Sequence, residues 1–173
     1  KDELNLNDAI KYNADYVAVS HVRNSNNINE IKEYLNNRNS KIKIMSKIEN
    51  GEALENIDDI IANSDAIMIA RGDLGKILPF TDIALNQKII TKKVLHAKKM
   101  LVSATDYLFS LENPTIPSRA EIVDLFTAYN DGIKYIMFTK EIAHSTDPAY
   151  LLDIATKVYN SYEKYNYLGK DEV

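Results

Sequence analysis

The chain has 173 residues, of which 45% are apolar and 27% charged, and a net charge of −4. This length suits one hydrophobic core. No apolar run is long enough to cross a membrane, the first residues lack the apolar core of a secretory signal, and the acidic balance argues against a nucleic-acid surface. Cysteine is absent, which excludes disulfides and thiolate chemistry and is compatible with a reducing compartment.

Short apolar runs alternate with segments of helical periodicity along the chain. The periodic segments predict helices at Asp2–Asn13, Asn27–Asn37, Glu52–Asn63, Thr81–Lys99, from Ser118 to about Asp131, and at Asp147–Tyr165, before a frayed tail at Lys170–Val173. The apolar runs predict strands at Tyr16–Ser20, Lys41–Ser46, Asp65–Ala70, Met100–Ala104 and Lys134–Phe138. A glycine-rich turn is expected after the third strand, and Ser118 with Glu121 predicts a capping box.

Five apolar strands, each followed by a helix, indicate the α/β class with a parallel sheet. Such units form either a complete doubly wound sheet or a segment of an eight-unit barrel. Periodicity alone leaves both architectures open.

Two of the predicted strands end abruptly in ionisable side chains. Lys47 and Glu49 close the stretch Lys43–Asn50, and Asp73 follows the apolar run of Ala66–Gly75. Carboxylates at neighbouring strand ends suit a divalent metal, and Lys47 lies on the same strand face as Glu49, its natural partner. The alternative is a structural Lys–Glu pair and solvated loop carboxylates.

These two stretches resemble pyruvate kinase. The central motifs are Ser46–Asn50 (SKIEN) and Ile67–Gly75 (IMIARGDLG). Weaker matches follow in family order and spacing from Lys1 to about Glu163, at Tyr16–Arg23, Gln87-Lys88, Ser103-Ala104-Thr105, Ser118–Glu121, Asp131-Gly132 and Ile136–Ala143.

The resemblance implies a partial TIM (β/α)₈ barrel. Residues 1–173 would be a single domain of about five βα units with parallel strands, without the family's lid and C-terminal regulatory domains. The first and last strands of such a segment are unpaired edges, and edges invite association. We therefore expect the isolated chain to form a homo-oligomer, to aggregate or to rearrange.

The function implied is phosphoryl transfer from phosphoenolpyruvate to ADP, giving pyruvate and ATP in glycolysis, with Mg²⁺ (or Mn²⁺) and K⁺. The expected location is cytoplasmic, with an organellar form left open, and neither nucleic acid nor membrane is an expected partner. Much of the surface with which the family binds the nucleotide and K⁺ lies in segments that this chain lacks. The chain alone is therefore expected to be inactive.

The same resemblance assigns roles to individual residues. Glu49 and Asp73 would hold the metal, and the amides of Gly72 and Asp73 would hold the pyruvate carboxylate. Lys47 would stabilise charge on the phosphoryl group and the enolate oxygen. The remaining assignments are Thr105, which would contact the substrate or orient the water that protonates the enolate, and Ser20, which would lie beside the monovalent cation site.

Several positions depart from the family pattern. Asp106 and Tyr107 replace Gln-Met, Lys140 replaces a glycine, and His21 stands where the family usually has Phe. These changes keep two alternatives open: a catalytically weakened relative that acts as a binding or interaction module, and a Mg²⁺-dependent aldolase or lyase acting on pyruvate-like enolates. The chain's histidines are not at metal-ligand spacing and are expected to be incidental.

Overall fold

The computed structural model describes residues 2–113 and 115–168. Its strands are β1 (Tyr16–Val19), β2 (Lys43–Ile48), β3 (Ala66–Ala70), β4 (Met100–Ala104) and β5 (Tyr135–Met137). Its helices are α1 (Asp2–Lys11), α2 (Ser25–Asn36), α3 (Gly51–Glu55), α4 (Ile57–Asn63), α5 (Arg71–Ile77), α6 (Ile83–His96), α7 (Arg119–Asn130), α8 (Lys140–Ala143) and α9 (Pro148–Leu168), with short 3₁₀ turns at Phe80–Asp82 and Phe109–Glu112. The predicted tail at Lys170–Val173 lies outside the described residues.

The five strands are parallel and form one sheet in the order β1-β2-β3-β4-β5. In the register of the first pairs, Val19 lies opposite Ser46 and Lys47 opposite Met68. The strand order follows the chain without reversal, whereas a doubly wound sheet reverses its order at a switch point. The α/β prediction is therefore confirmed, and the strand order favours winding of the barrel type.

The described residues divide into two compact units, one up to residue 102 and one from residue 103. The core of the first is aliphatic, and β3 is buried along its whole length, as expected of a central parallel strand. Its deeply buried aliphatic side chains include Val22, Ile28, Ile44, Ile48, Ile60, Ile67, Ile69, Leu74, Ile90 and Val94. In the part of the chain that the structure describes, no helix combines the length and apolar character needed to span a membrane.

The predicted helix at Glu52–Asn63 is in fact two helices, α3 and α4, which meet at Asn56. The Asn56 side-chain amide donates to the carbonyl oxygens of Arg23 (3.0 Å) and Glu52 (3.0 Å). An asparagine side chain competes with the backbone for such partners, which explains the break. At the start of α3, Asn50 Oδ1 accepts from the Ala53 amide at 2.9 Å, and Asn50 Nδ2 donates to the Val22 carbonyl at 2.9 Å.

The segment after β3 also differs from the prediction. The expected glycine-rich turn is the helix α5, which begins at Arg71 directly after the strand. The expected long helix at Thr81–Lys99 is a 3₁₀ turn followed by the shorter α6. Pro79 precedes this turn and its carbonyl accepts from the Asp82 amide at 2.8 Å, so the chain makes a tight turn before α6 begins.

In the second unit, an aromatic cluster joins α7 to α9. Phe126 packs edge-on against Tyr162 and Tyr165, and Tyr129 packs edge-on against Tyr159 with a ring-centre distance of 5.3 Å. Burial raises the pKa of Tyr129 to about 12. Rings at these distances contribute beyond their buried area, so part of the tyrosine content fills the α7–α9 contact.

The predicted capping box of α7 is confirmed. The Glu121 amide donates to Ser118 Oγ at 3.2 Å, and the Ser118 amide donates to Glu121 Oε2 at 2.8 Å. The same carboxylate accepts from the Ser110 amide (2.7 Å) and hydroxyl (2.8 Å), which ties the preceding loop to α7. Burial disfavours ionisation of this carboxyl group, but the hydrogen bonds from Ser110 and Ser118 outweigh it and hold the pKa of Glu121 below its ordinary value.

Substitution Glu121→Gln should therefore have an effect that depends on pH. A carboxyl group with a lowered folded-state pKa stabilises the fold above its unfolded-state pKa and loses that contribution as the pH falls through the folded value. At pH 7 the variant should unfold with a free energy about 1 kcal/mol lower than the parent chain, because charge-assisted hydrogen bonds become neutral ones. Urea unfolding of both proteins from pH 7 to below pH ~4 should show this difference shrinking, and a difference independent of pH would contradict the assignment.

Candidate active site

The carboxylate that follows β2 is buried and held in a fixed orientation. The Glu49 side chain is 1% exposed, although it lies at a strand end where solvated carboxylates are common. Its Oε1 accepts a hydrogen bond from the His21 amide at 2.6 Å and lies 3.2 Å from His21 Nδ1. Glu49 is therefore an oriented buried group rather than a solvated loop residue.

Lys47 makes the ion pair expected from the strand pattern. Its Nζ lies 2.9 Å from Glu49 Oε2 and also donates to Ser20 Oγ at 2.9 Å. The lysine side chain is 22% exposed, so its ammonium group faces partly open space. The structure thus brings Ser20, Lys47 and Glu49 into direct contact, and the Ser20 hydroxyl accepts from the lysine.

One oxygen of the buried carboxylate lacks a hydrogen bond. Glu49 Oε2 is buried and has no hydrogen-bond donor, because the nearby Lys47 ammonium lies at ion-pair distance without the direction of a hydrogen bond. A buried carboxylate oxygen that has a cation beside it but no hydrogen bond can still accept a donor or a further ligand. Hard oxygens of this kind are the ligands that Mg²⁺ prefers.

Asp73 lies in the first turn of α5 and is half-exposed. Its Oδ1 accepts from Lys76 Nζ at 2.7 Å, one turn along the helix. This hydrogen bond, despite some burial, holds the pKa of Asp73 below its ordinary value, and the positive charges of Lys76, Lys47 and His21 add to the effect. The Asp73 carboxylate is therefore ionised near neutral pH and lies within the electrostatic reach of the Lys47 and His21 side chains.

Two carboxylates at this edge of the sheet have the chemistry that a hard divalent ion would need. They are those of the buried Glu49 and the ionised Asp73, and a Mg²⁺ ion commonly takes one or two carboxylates and completes its shell with water. Among residues 2–113 and 115–168, no three His, Asp or Glu side chains already converge on one point. Gly72, the second residue of α5, stands next to Asp73 in the first turn of that helix.

Thr105, in the second unit, follows β4 in a strained backbone conformation. The φ angles of Thr105 (71°) and Asp106 (58°) are both left-handed, which is rare for a β-branched residue such as threonine. The Thr105 amide donates to the Met137 carbonyl at 3.0 Å, at the end of β5. Strain of this kind persists only where the surrounding structure holds it in place.

Glu141 holds this strained segment and was not predicted from the sequence. It is fully buried in α8, where Oε1 accepts from the Asp106 amide at 2.7 Å and Oε2 accepts from the Thr139 amide (2.7 Å) and hydroxyl (3.1 Å). Its only sequence signal is a glutamate shortly after the fifth predicted strand, and that pattern does not distinguish burial from exposure. Glu141 therefore joins the ends of β4 and β5.

Two departures from the family pattern lie beside each other. Lys140 Nζ is 3.8 Å from Asp106 Oδ1 and 4.3 Å from the centre of the Phe109 ring. The negative charge that Asp106 introduces is thus balanced by the positive charge of Lys140. Tyr107, the third departure, is buried and its hydroxyl lies 2.9 Å from Ser103 Oγ.

A double-mutant cycle should detect the Asp106–Lys140 coupling. Asp106→Asn and Lys140→Met keep the size of each side chain and remove its charge. Because both groups are nearly half-exposed, we expect a coupling free energy of about 0.2–1 kcal/mol in urea unfolding, decreasing at high salt. Strict additivity of the two substitutions at low salt would show that the charges do not compensate.

The fold and the strand-end cluster together identify the class of protein. Parallel strands that follow one another in chain order, each with its helix, define the β/α-barrel class, in which functional groups lie at the carboxyl ends of the strands. Within that class the chain belongs to the pyruvate kinase family, because the family model described as pyruvate kinase, barrel domain, matches residues 1–151.

Individual relatives agree with this membership. The pyruvate kinase of Dictyostelium discoideum is 37% identical over 158 residues, which cover 91% of this chain and 31% of that protein. The pyruvate kinase of Mycoplasma pneumoniae is 34% identical over 171 residues (96% and 34%), and that of Borreliella burgdorferi is 36% identical over 177 residues (100% and 37%). The chain spans about a third of the length of these relatives.

Proposed function

We propose that this chain contributes the carboxylates and the lysine of a pyruvate kinase, which transfers the phosphoryl group of phosphoenolpyruvate to ADP and gives pyruvate and ATP. Family membership supports the reaction. The single observation in the structure that supports it best is the buried Glu49, which is paired with Lys47 and keeps one oxygen without a hydrogen bond. The glycolytic role and a cytoplasmic location belong to the same proposal, as does assembly into a homo-oligomer.

In this proposal each residue acts through a charge or hydrogen bond that it can supply. The ammonium group of Lys47, oriented by Glu49 and Ser20, stabilises negative charge on the moving phosphoryl group and on the enolate oxygen. The hydroxyl of Thr105 contacts the substrate or orients the water that protonates the enolate. Phosphoryl transfer needs little covalent chemistry from the protein, so positioning and charge carry most of the catalysis.

Glu49 and Asp73 would hold Mg²⁺ or Mn²⁺. The bound ion would supply positive charge opposite the substrate's phosphate and carboxylate groups. The amides of Gly72 and Asp73 would hold the pyruvate carboxylate. K⁺ is assigned through family resemblance at Ser20, whose hydroxyl contacts Lys47 in this structure.

Mn²⁺ binding measured with and without oxalate, which mimics the enolate, tests the proposal on the chain as it stands. We expect Mn²⁺ to bind, oxalate to tighten the binding, and Glu49→Ala or Asp73→Ala to remove it. Glu52→Ala is the matched control, since Glu52 is exposed and follows Glu49 by only three residues. The proposal would be refuted if the chain is folded and its Mn²⁺ affinity is the same with and without oxalate, or if neither site variant changes that affinity.

A binding or interaction module is the second candidate, motivated by the departures at Asp106, Tyr107 and Lys140. The balance of charge between Asp106 and Lys140 weakens this motivation, because the pair restores neutrality at the end of β4. Oxalate-dependent metal binding that survives in a protein without turnover, at full length and with all family domains, would favour the module.

A further inference from the structure

A hollow lies at the amino ends of β1 and β2, at the opposite ends of these strands from Ser20 and Glu49. Its volume is about 590 Å³, within the range of pockets that hold small molecules. Most of its lining comes from two loops, residues 13–15 before β1 and residues 38–42 before β2. The proposed reaction gives this end of the sheet no role.

Positive charge dominates the lining of this hollow. Arg38, Lys41 and Lys43 line it together with one carboxylate, that of Asp15. Within residues 2–113 and 115–168, none of the three cations forms an ion pair with a carboxylate. Positive groups that converge on a concave surface without counter-ions raise the local concentration of anions, so the hollow is suited to an anionic ligand.

The guanidinium group of Arg38 is held in one orientation. It stacks on Tyr34, 3.6 Å from the ring centre, and its Nη1 donates to the Tyr34 carbonyl at 3.3 Å. The Tyr34 hydroxyl in turn donates to Asn7 Oδ1 at 3.0 Å, while Lys43 Nζ lies 5.5 Å from the centre of the Tyr16 ring. A guanidinium group has five N–H donors, so donors remain for a ligand, and their planar arrangement matches two oxygens of a phosphate group.

The ends of α1 and α2 do not account for the cations of the hollow. Helix C-termini attract positive charge because their last carbonyl groups lack partners within the helix. Here backbone amides take that place, since Asn13 and Ala14 donate to the last turn of α1, and Asn39 and Ser40 to that of α2. The left-handed φ angles of Asn13 (52°) and Asn39 (53°) permit this closure. The lysines of the hollow are therefore not needed to cap either helix.

We propose that this hollow binds a small phosphate monoester that carries hydroxyl groups. The phosphate group, with a charge of about −2, contacts Arg38, Lys41 and Lys43. The Asp15 carboxylate repels the phosphate and accepts a hydrogen bond from a hydroxyl group of the same molecule, which orients the ester in the hollow. The inference goes beyond the proposed function and does not depend on it.

The test titrates the ¹⁵N-labelled chain with glycerol 3-phosphate in the absence of divalent ions and follows the backbone amides by magnetic resonance. Inorganic phosphate and glycerol are the comparison ligands. The variants are Arg38→Lys, which keeps the charge and loses the planar fork, and Lys43→Met, which removes one charge. Lys92→Met is the matched control, because Lys92 is an exposed lysine on α6 in the same unit. Circular dichroism confirms that each variant is folded.

We expect the amides of residues 13–15 and 38–43 to shift when the ester binds. The affinity for glycerol 3-phosphate should fall about fivefold or more in Arg38→Lys and in Lys43→Met, and by less than about twofold in Lys92→Met. Asp15→Asn should tighten the binding of inorganic phosphate and reduce the preference for the ester, because the repelling charge and the acceptor are both weakened.

Three results would overturn the inference. The first is a folded chain whose amides at the hollow do not shift, or that binds glycerol as tightly as the ester. The second is an affinity unchanged in both Arg38→Lys and Lys43→Met. The third is a set of shifts confined to the Gly72 and Asp73 amides, which would place the phosphate at the proposed active site. Loss of oxalate-dependent Mn²⁺ binding would refute the proposed function and leave this inference standing.

Discussion

Replacing Glu49 by leucine should lower the free energy of unfolding of the first unit by about 3 kcal/mol. The substitution leaves the Lys47 ammonium, which is only 22% exposed, without its counter-ion, and removal of one partner of a buried pair typically costs about 3–5 kcal/mol. The His21 amide would also lose its acceptor. Urea unfolding followed by circular dichroism measures the effect.

The double variant Lys47→Met with Glu49→Leu separates charge from packing. Replacement of a whole buried ion pair by apolar side chains is often neutral, so we expect most of the lost stability to return. Glu52→Leu, at an exposed carboxylate that lies 3.8 Å from Arg23, should change stability by less than about 1 kcal/mol. If Glu49→Leu is no more destabilising than Glu52→Leu, the pair does not stabilise the fold.

Glu141→Ala should have the largest effect in the second unit. The substitution leaves three donors, the amides of Asp106 and Thr139 and the Thr139 hydroxyl, without their acceptor. Each buried donor that loses its partner costs about 1–3 kcal/mol, so we expect a total loss of about 3 kcal/mol or more. Hydrogen exchange of the Asp106 and Thr139 amides should accelerate, because these are the groups that Glu141 protects.

Glu141→Gln refines this prediction. The side-chain nitrogen of glutamine is a hydrogen-bond donor. It would lie opposite a group that now donates to the Glu141 carboxylate, and the hydrogen bond at that side would be lost. We expect a loss of stability intermediate between the parent chain and Glu141→Ala. Asp153→Asn is the control in the same unit, since Asp153 forms an exposed i,i+4 pair with Lys157 on α9 and should change stability by about 0.5 kcal/mol or less. Normal amide protection in Glu141→Ala would contradict the role assigned to this residue.

The features that the sequence predicted well are those set by short-range pattern. The two-residue repeat of a strand places Lys47 and Glu49 on one face, and their ion pair follows from that placement alone. The capping box at Ser118 is likewise a local signature and is present. The central strands were found because continuous apolar runs are typical of buried parallel strands.

Other features depend on contacts between residues far apart in the chain. The break at Asn56 arises because its side chain reaches the Arg23 carbonyl, 33 residues earlier. The burial of Glu141 depends on an amide 35 residues away at Asp106. At Arg71–Ile77 two glycines favoured a turn, yet the segment is helical, with Leu74 buried in the core of the first unit.

The hydrogen bonds of the Asn50 side chain at the start of α3 affect how fast this residue can deamidate. Asn50 is followed by Gly51. Deamidation begins when the backbone nitrogen of the following residue attacks the asparagine side chain, and glycine hinders this attack least. In the folded chain the Asn50 side chain bonds both Ala53 and Val22, and Gly51 N lies within a helix, so the required cyclic geometry is out of reach. Deamidation at Asn50 would therefore occur only in molecules whose α3 has opened. The rate at which the deamidated form accumulates would measure how often the chain unfolds locally beside Glu49.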